Sequence, residues 1–126
     1  MTSYLLDVST LLAWLWPGHE DNDLVLAWQK GKEVAVCPLT ELGFLRISTQ
    51  PHFGATPEEA RRALDDWRRS RKPAFVPCDL SALEGSLPPS GGVTMDFYMA
   101  DLAARNRMAW ATLDEHSGHT NAEVIR

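Results

Sequence analysis

The chain has 126 residues, 44% of them hydrophobic and five of them tryptophan, with a formal net charge of −5. That size suits one domain spanning residues 1–126 with its own core, and the composition excludes disordered and fibrous classes. A sequence pI of about 5.3 argues against a protein that coats nucleic acid, and the apolar runs are too short to span a bilayer.

In chain order, "YLLDV" is a short apolar run suited to a buried strand, and "TLLAWLW", from Thr10, to a helix stopped by Pro17-Gly18. "DNDLVLAWQKG" reads as a helix that Asp21 or Asn22 caps and Gly31 ends. The β-branched "EVAVCP" is a second strand. "LTELGFLRIST" follows as a helix, with Thr40 near its N-cap and Glu41 in its first turn. "TPEEARRALDDWRRSRK" has the fullest helix signature: Thr56 as cap, Pro57 at the first position, Glu59 completing a capping box, and Ala60, Leu64 and Trp67 as the apolar stripe. Six of the twelve Lys and Arg residues fall between Arg61 and Lys72, and the strip reads as a solvated face. "AFVPC" is a third strand, "DLSALEGSL" a short helix and "PPSGG" a loop. "VTMDFYMADLAARNR" is a helix with Phe97, Met99, Ala100, Ala103 and Ala104 toward the core. "MAWATLDE" is a strand ending at an acid, and "AEVIR" a last edge strand.

Strands alternating with helices imply an α/β fold with a mostly parallel sheet, in which ligands bind beyond the C-terminal ends of the strands. Three acids follow such ends: Asp7, Glu41 and Asp114. Asp96, in the first turn of its helix, points back toward the same edge. Clustered carboxylates are costly without positive charge, and all-oxygen donor sets suit Mg²⁺ or Mn²⁺. Such an ion activates water and neutralises charge on a phosphate, so metal-dependent phosphodiester hydrolysis is the chemistry suggested. The competing account treats Glu41 and Asp96 as ordinary first-turn acids favoured by the helix dipole. Asp7, at the end of a buried strand, fits that account less well. Cys37 and Cys78 each follow a strand-like run and are expected as buried free thiols rather than a disulfide or zinc site. The four histidines read as loop residues, and the tryptophans as core or dimer packing. Arg46 reads equally well as a partner for an acid or phosphate and as a surface group. Asp101, about 140° around its helix from Asp96, is not expected on the metal face.

Taken together, "LLDVSTLLAWLWPGHED", "CPLTELGFLRISTQPHFG", "FVPCDLSAL" and "VTMDFYMADLAARNRMAWATLDE" resemble, in order and over nearly the whole chain, the PIN-domain ribonucleases. The closest likeness is to the VapC toxins of the VapBC toxin–antitoxin class. The resemblance implies a PIN-like three-layer α/β/α sandwich and a divalent-metal-dependent endoribonuclease that hydrolyses RNA by metal-activated water. It implies Asp7, Glu41, Asp96 and Asp114 as the acids that hold Mg²⁺ or Mn²⁺. Ser9 and Thr112 would orient water or a carboxylate beside them. It further implies a cognate antitoxin and a homodimer, while the short apolar runs lead to the expectation of no membrane partner. The N-terminus has no basic, cleavable leader, and a cytoplasmic location is expected. Two departures stand out: Met95 separates Thr94 from Asp96, and "LPPSGG" lacks basic residues and histidine. The alternative is a PIN-like module with little or no catalysis that serves as a binding partner. A receiver-like domain ranks lower, because "ATLDE" brings no lysine. No GxGxxG or P-loop pattern is present.

Overall fold

Each strand here is short, and each hands over directly to a helix or turn. A computed structural model describes residues 2–126. Its elements are β1 (Ser3–Leu6), α1 (Val8–Leu15), α2 (Asn22–Trp28), β2 (Glu33–Val36), α3 (Pro38–Ser48), α4 (Pro57–Arg71), β3 (Ala74–Phe75), α5 (Thr94–Arg105), β4 (Met108–Thr112) and β5 (Ala122–Val124), with a 3₁₀ turn at Gly91–Val93.

The five strands form one sheet in the order β3-β2-β1-β4-β5, and every pairing is parallel. Side-chain alternation then divides the core in two. Leu5, Ala35 and Trp110 lie in register across β1, β2 and β4 and pack with Met99, Ala100, Leu102 and Ala103 of α5. Leu6, Val34, Val36 and Ala111 face the other way, against Leu11 and Leu12 of α1, Phe44 of α3 and Ala60, Leu64 and Trp67 of α4. Leu24 and Trp28 of α2 lean on that second cluster. The result is the three-layer α/β/α sandwich expected, with one helix on one face and four on the other. Full burial of a leucine such as Leu5 or Leu6 contributes roughly 2 kcal/mol.

From β1 the chain runs outward through β2 to β3, and α5 then carries it back across to β4, on the other flank of β1. The strand order therefore reverses between β1 and β4, and a crevice opens there at the strands' C-terminal ends.

The local signals hold where a cap defines them. In α4, Thr56 Oγ1 accepts from the Glu59 N–H at 3.1 Å and Glu59 Oε1 accepts from the Thr56 N–H at 2.8 Å; Ala60, Leu64 and Trp67 are buried. Helix α1 starts two residues before the expected Thr10, because the Asp7 carboxylate accepts from the Val8 N–H and caps it. Helix α3 starts at Pro38, with Cys37 at the N-cap and Thr40 inside the first turn.

Other expectations are corrected. "DLSALEGSL" is not a helix but a single turn closed by Ser81 and Glu84. Gly85 and the prolines beyond leave no length to propagate, and Leu83 and Leu87 are exposed rather than packed. Ala104 is exposed, because the buried stripe of α5 is Met99, Ala100, Leu102 and Ala103. Cys37 is a buried free thiol, but Cys78 is exposed in the segment after β3.

Candidate active site

Asp7 ends β1 in extended backbone, so alternation sets it on the same face of the sheet as Leu5, the face that α5 covers. On β4, Thr112 shares the parity of Trp110 and comes to the same face. The two meet: Thr112 Oγ1 donates to Asp7 Oδ2 at 2.7 Å, and Ser9 Oγ donates to the same oxygen at 3.0 Å. Both hydroxyls also brace the end of β4. Thr112 Oγ1 accepts from the Asp114 N–H at 3.0 Å, and Ser9 Oγ accepts from the Leu113 N–H at 3.4 Å. Thr10 ties α1 to β4 through the Ala111 carbonyl. Asp7, Ser9, Thr112 and Asp114 thus form one rigid corner.

Asp96 enters from the first turn of α5. Its carboxyl is pushed up to about 6, first by burial and then by the charges of Asp7 and Asp114. Burial likewise raises the Asp7 carboxyl; hydrogen bonds from Thr112, Ser9 and Val8 pull against that rise, and the Asp114 charge adds to it. These three aspartates therefore share one electrostatic neighbourhood. The inserted Met95 lies exposed beside Asp96, and the Thr94 hydroxyl donates back to the Gly91 carbonyl.

Glu41 is placed differently. Thr40 Oγ1 donates to the Leu6 carbonyl at 2.8 Å, which pins the start of α3 to the end of β1. One residue further, Glu41 turns away from the aspartates and accepts from Arg68 of α4 at 2.8 Å. The Arg68 guanidinium also lies over Phe75. Two hollows result. One, of about 460 Å³, has Asp7 and Asp96 in its wall; the other, of about 760 Å³, runs between α3 and α4 and has Glu41 and Arg68 in its wall.

As the side chains stand, no three His, Cys, Asp or Glu groups among the described residues are close enough to share one metal ion. The donor set nonetheless fits a hard divalent cation. It is all carboxylate and hydroxyl oxygen, and Asp7 and Asp114 raise Asp96 by repulsion that a bound cation would relieve.

A second polar cluster lies further along α5. Asp101 Oδ1 pairs with His119 Nε2 at 2.8 Å, and the Ser86 N–H and Oγ donate to the same carboxylate at 2.6 and 2.8 Å. His119 Nδ1 accepts from the Asn121 N–H at 2.9 Å, so Nε2 carries the proton. Burial works against the Asp101 charge, but these partners hold its carboxyl below the usual range. In the sequence His119 reads as a loop residue and Asp101 only as a group off the metal face. Together they clasp the segments before α5 and after β4, and their separation in the chain left no local signal.

No family model matches the chain. Curated relatives do. The chain is 31% identical over 118 residues to Ribonuclease VapC38 of Mycobacterium tuberculosis strain H37Rv, covering 87% of this chain and 84% of the relative. It is 30% identical over 122 residues to Ribonuclease VapC44 of the CDC 1551 strain of the same species, covering 88% and 85%. The all-parallel sheet flanked by helices agrees with that kinship, and the chain belongs to the VapC ribonuclease family.

Proposed function

We propose that this protein is a divalent-metal-dependent endoribonuclease, the toxin of a type II toxin–antitoxin pair, with Asp7, Asp96 and Asp114 at its reaction centre. The observation that carries the reading is the aspartate corner at the reversal point of the sheet, where Thr112 and Ser9 hold Asp7, Thr112 holds the Asp114 N–H, and Asp96 lines the same hollow as Asp7. Two relatives that bear the name ribonuclease support the choice of RNA.

In this reading the three aspartates would hold Mg²⁺ or Mn²⁺, which when bound would activate water and offset charge on the attacked phosphate. The chain's own groups do the positioning. Thr112 and Ser9 fix the Asp7 carboxylate by two hydrogen bonds to Oδ2, which leaves Oδ1 turned toward α1 with capacity beyond its bond from Val8. The rigid corner keeps the Asp7–Asp114 relation constant while substrate binds. Glu41 is the fourth acid of this reading; as folded it stands in the neighbouring groove, held by Arg68. The remaining parts of the reading are a cognate antitoxin that covers the site, a homodimer and a cytoplasmic location.

The test is incubation of the purified, partner-free protein with structured RNAs and Mg²⁺ or Mn²⁺, with and without chelator. Cleavage is expected to need the metal and to vanish in Asp7→Asn and Asp96→Asn. Cleavage that survives chelation, or persists in both variants, refutes the mechanism. Absence of any cleavage alongside intact metal binding favours the binding-module alternative.

A further inference from the structure

We propose that Arg46 binds a phosphate of the RNA strand and so sets the strand's position over the aspartates; this rests on the ribonuclease reading above. The argument begins with the faces of α3. Leu39, Leu42, Gly43 and Arg46 recur at i, i+3, i+4 and i+7, which is one stripe of a helix. That stripe lines the hollow whose wall includes Asp7 and Asp96. Pro38, Glu41, Leu42 and Leu45 form the neighbouring stripe and line the groove against α4. Five residues separate Glu41 from Arg46, a rotation of about 140°. As folded, then, the charged group that α3 presents to the aspartate hollow is Arg46, and Leu42 is the wall between the two hollows.

The seating of that stripe is tight. A Cβ on Gly43 would lie 2.4 Å from Val8 Cγ2, so the absence of a side chain lets α3 pack against α1 beside Asp7. This fixes the rotation of α3, and with it the direction of Arg46 one turn later.

Arg46 is also unengaged. Arg68 pairs with Glu41, Arg69 with Asp65 and Arg105 with Asp79, while Arg71 donates to the carbonyls of Gln29 and Lys32. Among the described residues the Arg46 guanidinium has no ion pair, although it shares a hollow with two acids. A cation on the rim of an anionic hollow, not spent on the acids, is free to meet an anion that arrives there. A phosphodiester laid over the aspartates brings one, and a guanidinium binds two of its oxygens through a planar fork.

The test uses the full chain carrying Asp96→Asn, which keeps RNA uncleaved. Its affinity for a fluorescent single-stranded RNA is measured by anisotropy in Mg²⁺ across a series of KCl concentrations. Adding Arg46→Ala is expected to weaken binding and to reduce the slope of log K against log salt by about 0.7, the value for one lost phosphate contact on a single strand. Arg46→Lys should keep the slope. Arg107→Ala, at the opposite end of the strands, should change neither quantity, which separates a site contact from general loss of charge. An unchanged slope in Arg46→Ala, or an equal drop in Arg107→Ala, overturns the assignment, whatever the substitution does to binding of a protein partner. Absence of RNA binding by the Asp96→Asn parent, with no cleavage by the unsubstituted chain, overturns the ribonuclease reading and this proposal together.

Discussion

Replacing Asp96 with asparagine should stabilise the metal-free protein while abolishing its activity. The folded chain raises the Asp96 carboxyl from an ordinary 3.8 to about 6. A group whose folded value is raised binds its proton more tightly in the folded state. Stability is therefore unaffected below about pH 4, falls as pH rises toward 6, and stays reduced above it. For a fully dry site the displacement corresponds to about 3 kcal/mol at neutral pH. Asp96 is half-buried, so solvent screens much of that, and the charge gains a little from the start of α5. About 1 kcal/mol should remain. Asparagine has nearly the same shape, carries no charge, and breaks no side-chain hydrogen bond to Asp96 among the described residues. The assay is urea denaturation in chelator at pH 3, below the ordinary carboxyl value, and at pH 8. The variant should match the parent at the lower pH and exceed it by about 1 kcal/mol at the higher. Added Mg²⁺ should narrow the gap, because it stabilises only the form that binds it. A variant that is less stable than the parent at pH 8 in chelator refutes the claim that repulsion and burial set the Asp96 environment.

Two further substitutions probe the frame of the site. Thr112→Val keeps shape but removes the bond to Asp7 and orphans the Asp114 N–H; denaturation at pH 7 should register a loss of about 2 kcal/mol, with Thr112→Ser keeping most of the stability, and equal stability of the valine variant would show that the corner is not held this way. Gly43→Ala forces a Cβ against Val8 and should cost about 1–3 kcal/mol by overpacking. Combining it with Val8→Ala should recover most of the melting temperature, and a fully stable Gly43→Ala would place the α1–α3 contact elsewhere.

Much of the fold is legible because its signals are local. The Thr56–Glu59 capping box and the stripe at Ala60, Leu64 and Trp67 lie within a few residues of one another, and propensity, pattern and capping all agree on α4. The apolar runs at Tyr4–Leu6, Val34–Val36 and Ala109–Ala111 likewise become the three central strands. The stretch from Asp79 to Leu87 misled because helix-like composition is not enough. A helix that short needs a partner face, and Leu83 and Leu87 find none. The Asp101–His119 pair and the exposure of Cys78 depend on segments brought together from distant parts of the chain.

The sequence by itself determined that acids follow the strand ends and that strands and helices alternate, since composition and period are written residue by residue. Only the tertiary structure decided which acids meet. Parity along β1 and β4 turns Asp7 and Thr112 to the face covered by α5, and α5 brings Asp96 to them. Helix α3 packs on the opposite face, so its rotation directs Glu41 to Arg68 and puts Arg46 in the wall of the hollow that Asp7 and Asp96 also line.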